Sequence, residues 1–207
     1  MTPVRTRLFI PESVLVLMAT ALIACGARAE QTPEPESPSA RTELGLYVTA
    51  RQAWSLLQTE PAAILVDVRD PVEAMFTGFA DPTQVHVPWL IVDPRHFSPE
   101  HGRYEMSRNP RFDQDILERL QALEVARDAP IIVICRSGAT RSAPAADRLT
   151  ELGFTRVYSV VDGFEGERLR DGDSAGVRAL NGWRNSGLPW SYTLPEDVAY
   201  RLSPPED

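Results

Sequence analysis

"IIVICRSGATRSAPAADRL", residues 131 to 149, places Cys135 at the end of a β-branched apolar run, ahead of a short turn holding Arg136 and Arg141. Ile131 to Ile134 show no polar alternation, which predicts a strand buried on both faces. From about Ser142 to Leu152 the apolar spacing is helical, and Gly153 ends it. Strand, turn and helix in succession imply a parallel sheet. In such sheets the functional crevice lies beyond the carboxyl ends of the strands, where Cys135 falls. The small residues Ser137, Gly138, Ala139 and Thr140 let successive backbone N–H groups converge on one point, and the next helix presents its positive end there. Both features favour a thiolate, so Cys135 is a candidate nucleophile beside donors suited to an anionic substrate.

Outward from this unit, short apolar runs alternate with amphipathic stretches, and no internal repeat occurs. "LGLYVT" from Leu44, "AAILVDVR" from Ala62, "QVHVPW" from Gln84 and "RVYSVV" from Arg156 read as strands. "ARQAWSLLQ" sets Ala50, Trp54 and Leu57 at helical spacing, and "DPVEAMF" opens with Asp70 as N-cap and Pro71 at the first helical position. "FDQDILERLQALEV" carries one apolar stripe through Ile116, Leu117, Leu120 and Leu123. The pattern predicts an α/β fold with a parallel sheet flanked by helices on both faces.

Composition narrows the chemistry. The 207 residues suit one domain with appendages, and a net charge of −8 with 43% hydrophobic residues argues for a globular protein and against nucleic-acid binding. All 21 basic residues are arginine, so no lysine Schiff base is available and anion binding must use arginine and backbone amides. Three histidines without ligand spacing give no recognisable metal site, Gly-rich nucleotide motifs are lacking, and no cofactor is expected.

The N-terminus reads as an export signal. Arg5 and Arg7 precede the apolar stretch "VLVLMATALIA", which falls short of the roughly 20 residues that span a bilayer. "LIAC", ending at Cys25, resembles a bacterial lipobox, which implies cleavage after residue 24 and acylation of Cys25; cleavage after Ala29 of "ARA" is the other reading. Residues 25–43 are Pro/Glu/Ser-rich and predict a flexible tether, with the domain at 44–192 and a tail at 193–207. The expected location is the periplasmic side of a bacterial membrane, held there by the lipid alone, or the soluble periplasm. With Cys25 acylated, Cys135 is left as an unpaired thiol, which in an exported protein flags reactivity.

Several motifs in order resemble the rhodanese-like sulfurtransferases over Leu44 to Tyr192: "LVDVRDPVEA", "CRSGATRS", "LGFTRVYSVVDGFEGE" and "NGWRNSGLPW". The resemblance implies a five-stranded parallel sheet and a Cys135 that takes a sulfane sulfur as a persulfide, from a small anionic donor such as thiosulfate or polysulfide. A thiol or cyanide-type acceptor then removes it. Arg136, Ser137, Gly138, Ala139, Thr140 and Arg141 would cradle the substrate. Asp67 and Arg69 match an Asp-x-Arg pair; Asp67 reads as structural support, while Arg69 is carried as a substrate-binding candidate alongside a strand-end salt bridge.

Three departures qualify the transfer. The family's single-domain loop is commonly Cys-Arg-Ser-Gly-x-Arg-Ser, whereas this chain has one residue more, giving Cys135-x5-Arg141. That spacing resembles phosphatases and arsenate reductases, in which the arginine clamps a tetrahedral oxyanion, although Ile134 stands where those phosphatases usually place histidine. Arg141 is accordingly expected to face the pocket. "GFADPTQVHVPW" replaces a shorter turn, and His86 is expected to pack or bond locally. The insert "LIVDPRHFSPEHGRYEMSRNPRF" holds Arg95, His96, His101, Arg103 and Tyr104, which are expected on a solvated loop rather than at the pocket rim. A non-catalytic docking module for a periplasmic redox protein is the other class, and the complete cysteine loop argues for the enzyme.

Overall fold

The computed structural model describes residues 32–201. In chain order its elements are a 3-10 turn (Pro38–Ala40), β1 (Tyr47–Val48), α1 (Ala50–Thr59), β2 (Ile64–Asp67), α2 (Pro71–Thr77), β3 (Phe79–Ala80), β4 (Thr83–His86), β5 (Leu90–Ser98) and β6 (Arg103–Arg108). They continue with α3 (Phe112–Ala122), β7 (Ile131–Ile134), α4 (Ser142–Glu151), β8 (Val157–Val160), α5 (Gly182–Asn185) and β9 (Trp190–Ser191). The export signal, Cys25 and the start of the tether lie outside the described residues.

Five strands form one sheet in the order β1-β8-β7-β2-β4, every pair parallel. The fold is the expected α/β arrangement, with β7 in the middle. Its period of two divides the core: Ile131 and Val133 face Phe112, Ile116 and Leu149 of α3 and α4, while Ile132 and Ile134 face Ala53 and Trp183 of α1 and α5. All four are fully buried. At about 1.5–3 kcal/mol for each fully buried aliphatic side chain, this strand fixes the carboxyl end from which Cys135 hangs.

Helix starts follow local capping chemistry. Thr49 and Gln52 form a capping box on α1, and Asp70 caps α2 by accepting from Val72 N–H at 2.8 Å, with Pro71 in the first turn. The other Asp70 oxygen accepts from Val92 N–H at 2.9 Å, tying β5 to the head of α2. In α3, Phe112, Ile116 and Leu120 are buried but Leu123 is exposed: the helix stops at Ala122, and Glu124, with φ of +52°, turns the chain away.

Three expectations need correction. The insert is not a solvated loop: β5 and β6 pair antiparallel as a hairpin, with a register shift between Asp93 and Phe97 around Pro94 and a turn at Gly102. The domain also begins before residue 44. Ala40 is buried, Glu43 N–H donates to Asp147 at 2.8 Å, and Ser39 Oγ donates to the Ala139 carbonyl at 3.3 Å, so the end of the predicted tether packs beside α4. Nor does the domain end at Tyr192. Val198 is buried, Tyr200 donates its hydroxyl to Asp115 at 2.8 Å and Arg119 donates to the Ala199 carbonyl at 3.0 Å, which lays the chain over α3 as far as residue 200.

Candidate active site

Cys135 follows the last residue of β7 at the carboxyl edge of the sheet, and Arg136 to Arg141 bridge it to α4. Two glycines allow this path. Gly138 has φ of +70°, and a Cβ there would fall on the Val161 carbonyl; a Cβ on Gly163, φ of +61°, would lie 2.6 Å from Ser137 N. With the segment after β8 this close, Phe164 N–H donates to the Cys135 carbonyl at 2.8 Å and Glu165 N–H to the Arg136 carbonyl at 2.9 Å. Those two carbonyls are held against that segment, while the Ser137 and Ser142 N–H groups are directed at the Cys135 sulfur.

Cys135 is 1% exposed, and its sulfur lies 3.4 Å from Ser142 Oγ. Ser159 donates its hydroxyl to that same Oγ at 3.2 Å, so the Ser142 hydrogen is free for the sulfur when the thiol ionises. Burial pushes the thiol pKa up, but the Arg141 charge, the Ser142 hydroxyl and the Ser137 and Ser142 amides outweigh it, and the pKa falls below the ordinary thiol value. A buried inert cysteine would show the opposite shift.

Arg141 lines the cleft, and its fork is occupied: both Nη atoms donate to the Glu73 carboxylate from the first turn of α2. Glu73 outweighs burial and keeps the guanidinium charged beside Cys135. Arg136 is 42% exposed along its side chain and pairs with Glu165, whose other oxygen accepts from Arg184 at 3.0 Å. Ser137 and Thr140 face the cleft, whereas Gly138 is buried beneath the loop and the Ala139 carbonyl is held by Ser39.

Arg69 is corrected. It is fully buried, clasped by both Asp67 oxygens with a shortest contact of 2.6 Å, bonded to Thr77 Oγ1 and the Gly78 carbonyl at 2.8 Å each, and stacked 4.2 Å from the Phe164 ring centre. No face is left for substrate, because the guanidinium is spent joining β2, α2 and the segment under the loop. Asp67 is its buried counter-charge; desolvation raises the carboxyl pKa, but Arg69 overcomes this and holds it low. His86 packs edge-on to Phe79 and Tyr200 with Nε2 2.9 Å from the Arg69 carbonyl, and burial keeps it neutral.

Above the loop opens a cleft of 550 Å3. The β5–β6 hairpin walls one side with Ser98, His101, Arg103 and Tyr104. A second excursion forms another wall: residues 167–179 fold back through Leu169 N–H to the Val177 carbonyl and Gly176 N–H to the Leu169 carbonyl, both 2.8 Å, presenting Arg168 and Arg178. Five arginines face two glutamates there, in a chain whose net charge is −8. Sequence reading missed Glu73, Ser142 and the paired excursion. An acid in the first turn of α2 and a serine directly after Arg141 were the available signals.

The parallel five-stranded sheet thus carries a thiol in an amide-lined loop at its carboxyl edge. Residues 49–167 match the model of the rhodanese-like domain, more than half of the chain, and the protein belongs to that family. It is 33% identical over 119 residues to the thiosulfate sulfurtransferase GlpE of Glaesserella parasuis, covering 58% of this chain and 82% of that one. To the GlpE of Actinobacillus pleuropneumoniae it is 31% identical over 143 residues, 69% of this chain and 89% of that one. Among solved structures, Rv0390 from M. tuberculosis superposes with a TM-score of 0.54 at 35% identity, over 71% of this chain and 97% of that one.

Proposed function

We propose that the protein is a sulfurtransferase that carries a sulfane sulfur on Cys135. The observation that carries this reading is the thiol itself, held by Ser142, two loop amides and the Arg141 charge so that its pKa falls despite burial. The Cys135 thiolate attacks the outer sulfur of a thiosulfate-type donor, the outer S–S bond breaks, and sulfite leaves with the bonding pair. The Cys135 persulfide remains, with its charge beneath the Ser137 and Ser142 amides. An acceptor thiolate or cyanide then attacks the sulfane sulfur, and the electron pair of the persulfide bond returns to Cys135 Sγ.

Glu73 favours this over phosphoryl transfer. A phosphatase or arsenate reductase would need the Arg141 fork for a bidentate oxyanion, and a carboxylate already fills it. Turnover of thiosulfate, polysulfide, an aryl phosphate and arsenate by the purified protein and its Cys135→Ser variant separates the readings. Sulfite release dependent on Cys135 supports the proposal; phosphate release would replace it, and no Cys135-dependent turnover would leave a binding module. The proposal includes export and acylation at Cys25, supported by "LIAC". Membrane association abolished by Cys25→Ala supports the acylation, and a soluble mature chain beginning at Glu30 refutes it while leaving export.

A further inference from the structure

Besides Arg103 on the hairpin, two kinds of arginine line the cleft. Arg136 and Arg141, on the loop, are each bound to a carboxylate, Glu165 and Glu73. Arg168 and Arg178, on the second excursion, form no ion pair among the described residues. An antiparallel bridge places these two opposite each other, facing the same cleft as Arg136 and Ser137. Arg178 Nη1 donates to the Gly166 carbonyl, which fixes the guanidinium, while its Nε–H is buried without a partner. Buried donors are nearly always satisfied in folded proteins, so an unpartnered guanidinium donor beside an unpaired second arginine marks a place prepared for an anion. Burial, and after it repulsion from Arg136 and Arg168, lowers the Arg178 pKa, and the attraction of Glu165 offsets only part of this.

We infer that Arg168 and Arg178 form a carboxylate subsite for the sulfur acceptor, and that this acceptor is an organic thiol bearing carboxylates several bonds from its sulfur, such as a small peptide thiol. The inference rests on the sulfurtransferase reading and deepens it. A volume of 550 Å3 suits a ligand of peptide size and far exceeds what thiosulfate or cyanide would fill. With its carboxylate on Arg168 and Arg178, such a thiol lies along the cleft toward the loop. Its thiolate attacks the sulfane sulfur, leaves as the acceptor persulfide, and returns the bonding pair to Cys135.

Two measurements on the full chain test this. Equilibrium binding of S-methylglutathione, which carries the carboxylates but no free thiol, is measured to Cys135→Ser protein with and without Arg168→Gln and Arg178→Lys. Arg168 is exposed, so its substitution does not threaten folding. The subsite predicts binding that weakens with salt, falls about tenfold in Arg168→Gln, which loses one charge-assisted contact, and falls by a smaller factor in Arg178→Lys, which keeps the charge but loses the fork and its Nε–H. Absence of binding, or equal binding by all forms, overturns the inference. Because this probe cannot react, the result stands whether or not Cys135 carries sulfur. For the active protein, the ratio of kcat/KM for glutathione to that for 2-mercaptoethanol should drop about tenfold in Arg168→Gln; an unchanged ratio refutes the acceptor role.

Discussion

Ser142→Ala probes the thiolate more selectively than any substitution on the charged residues. The hydroxyl lies 3.4 Å from Cys135 Sγ, is fully buried, and is supported from behind by Ser159 at 3.2 Å. A hydrogen bond to a charged group contributes about 1.5–3 kcal/mol, so removing it lowers the thiolate fraction on the order of 10- to 150-fold at pH below the thiol pKa. Intrinsic nucleophilicity rises as pKa rises, with a Brønsted coefficient of about 0.4–0.5, and this recovers roughly half the loss on a logarithmic scale. The net expectation is a fall of about 3- to 12-fold in the alkylation rate of Cys135 at neutral pH. At high pH, where both proteins are fully ionised, the variant should instead react faster. Rates of iodoacetamide alkylation between pH 6 and 10 should therefore cross. Superimposable profiles would refute the assignment of Ser142 to the thiolate.

Other perturbations separate the site's parts. Arg141→Ala removes the charge that most lowers the Cys135 pKa and leaves Glu73 without its partner in the cleft, so thiosulfate kcat/KM should fall more than tenfold; Arg136→Ala, at a half-exposed side chain, should cost less, and the reverse order in steady-state assays contradicts the geometry. Gly138→Ala forces a side chain onto the Val161 carbonyl at positive φ, and should lower stability by at least about 1–2 kcal/mol in denaturant melts together with activity. Arg69→Ala strands the buried Asp67 carboxylate and should cost about 3–5 kcal/mol, visible as a lower thermal midpoint. Because the folded Asp67 pKa is depressed, its contribution is complete above the unfolded value near 4 and is lost as pH falls through the folded one, so the deficit of Arg69→Ala should shrink in acid; a constant deficit would argue against the pair.

The part of the molecule legible in the sequence is the part governed by local rules. Four consecutive aliphatics predict β7, Asp70-Pro71 predicts the head of α2, and Gly153 closes α4, all as observed. The cysteine's position follows from strand polarity alone. The hairpin was not legible because Pro94 and the irregular pairing between Asp93 and Phe97 break the period of two on which strand recognition depends. The second excursion is polar and glycine-rich, so it reads as a loop, and its pairing shows only in backbone bonds such as Leu169 to Val177. Arg69 and Arg141 illustrate a different limit: which arginine is spent internally and which is held at the cleft depends on carboxylates, Asp67 and Glu73, and only the nearer of these is visible along the chain.

The central claim is that Cys135 itself takes up the sulfane sulfur, and the intact mass of the protein after a single exposure to thiosulfate tests it most directly. A gain equal to one sulfur atom, located on Cys135, reversed by a thiol and absent in Cys135→Ser, is the predicted result. A protein of unchanged mass that nevertheless releases sulfite, or a gain that persists in Cys135→Ser, would contradict it.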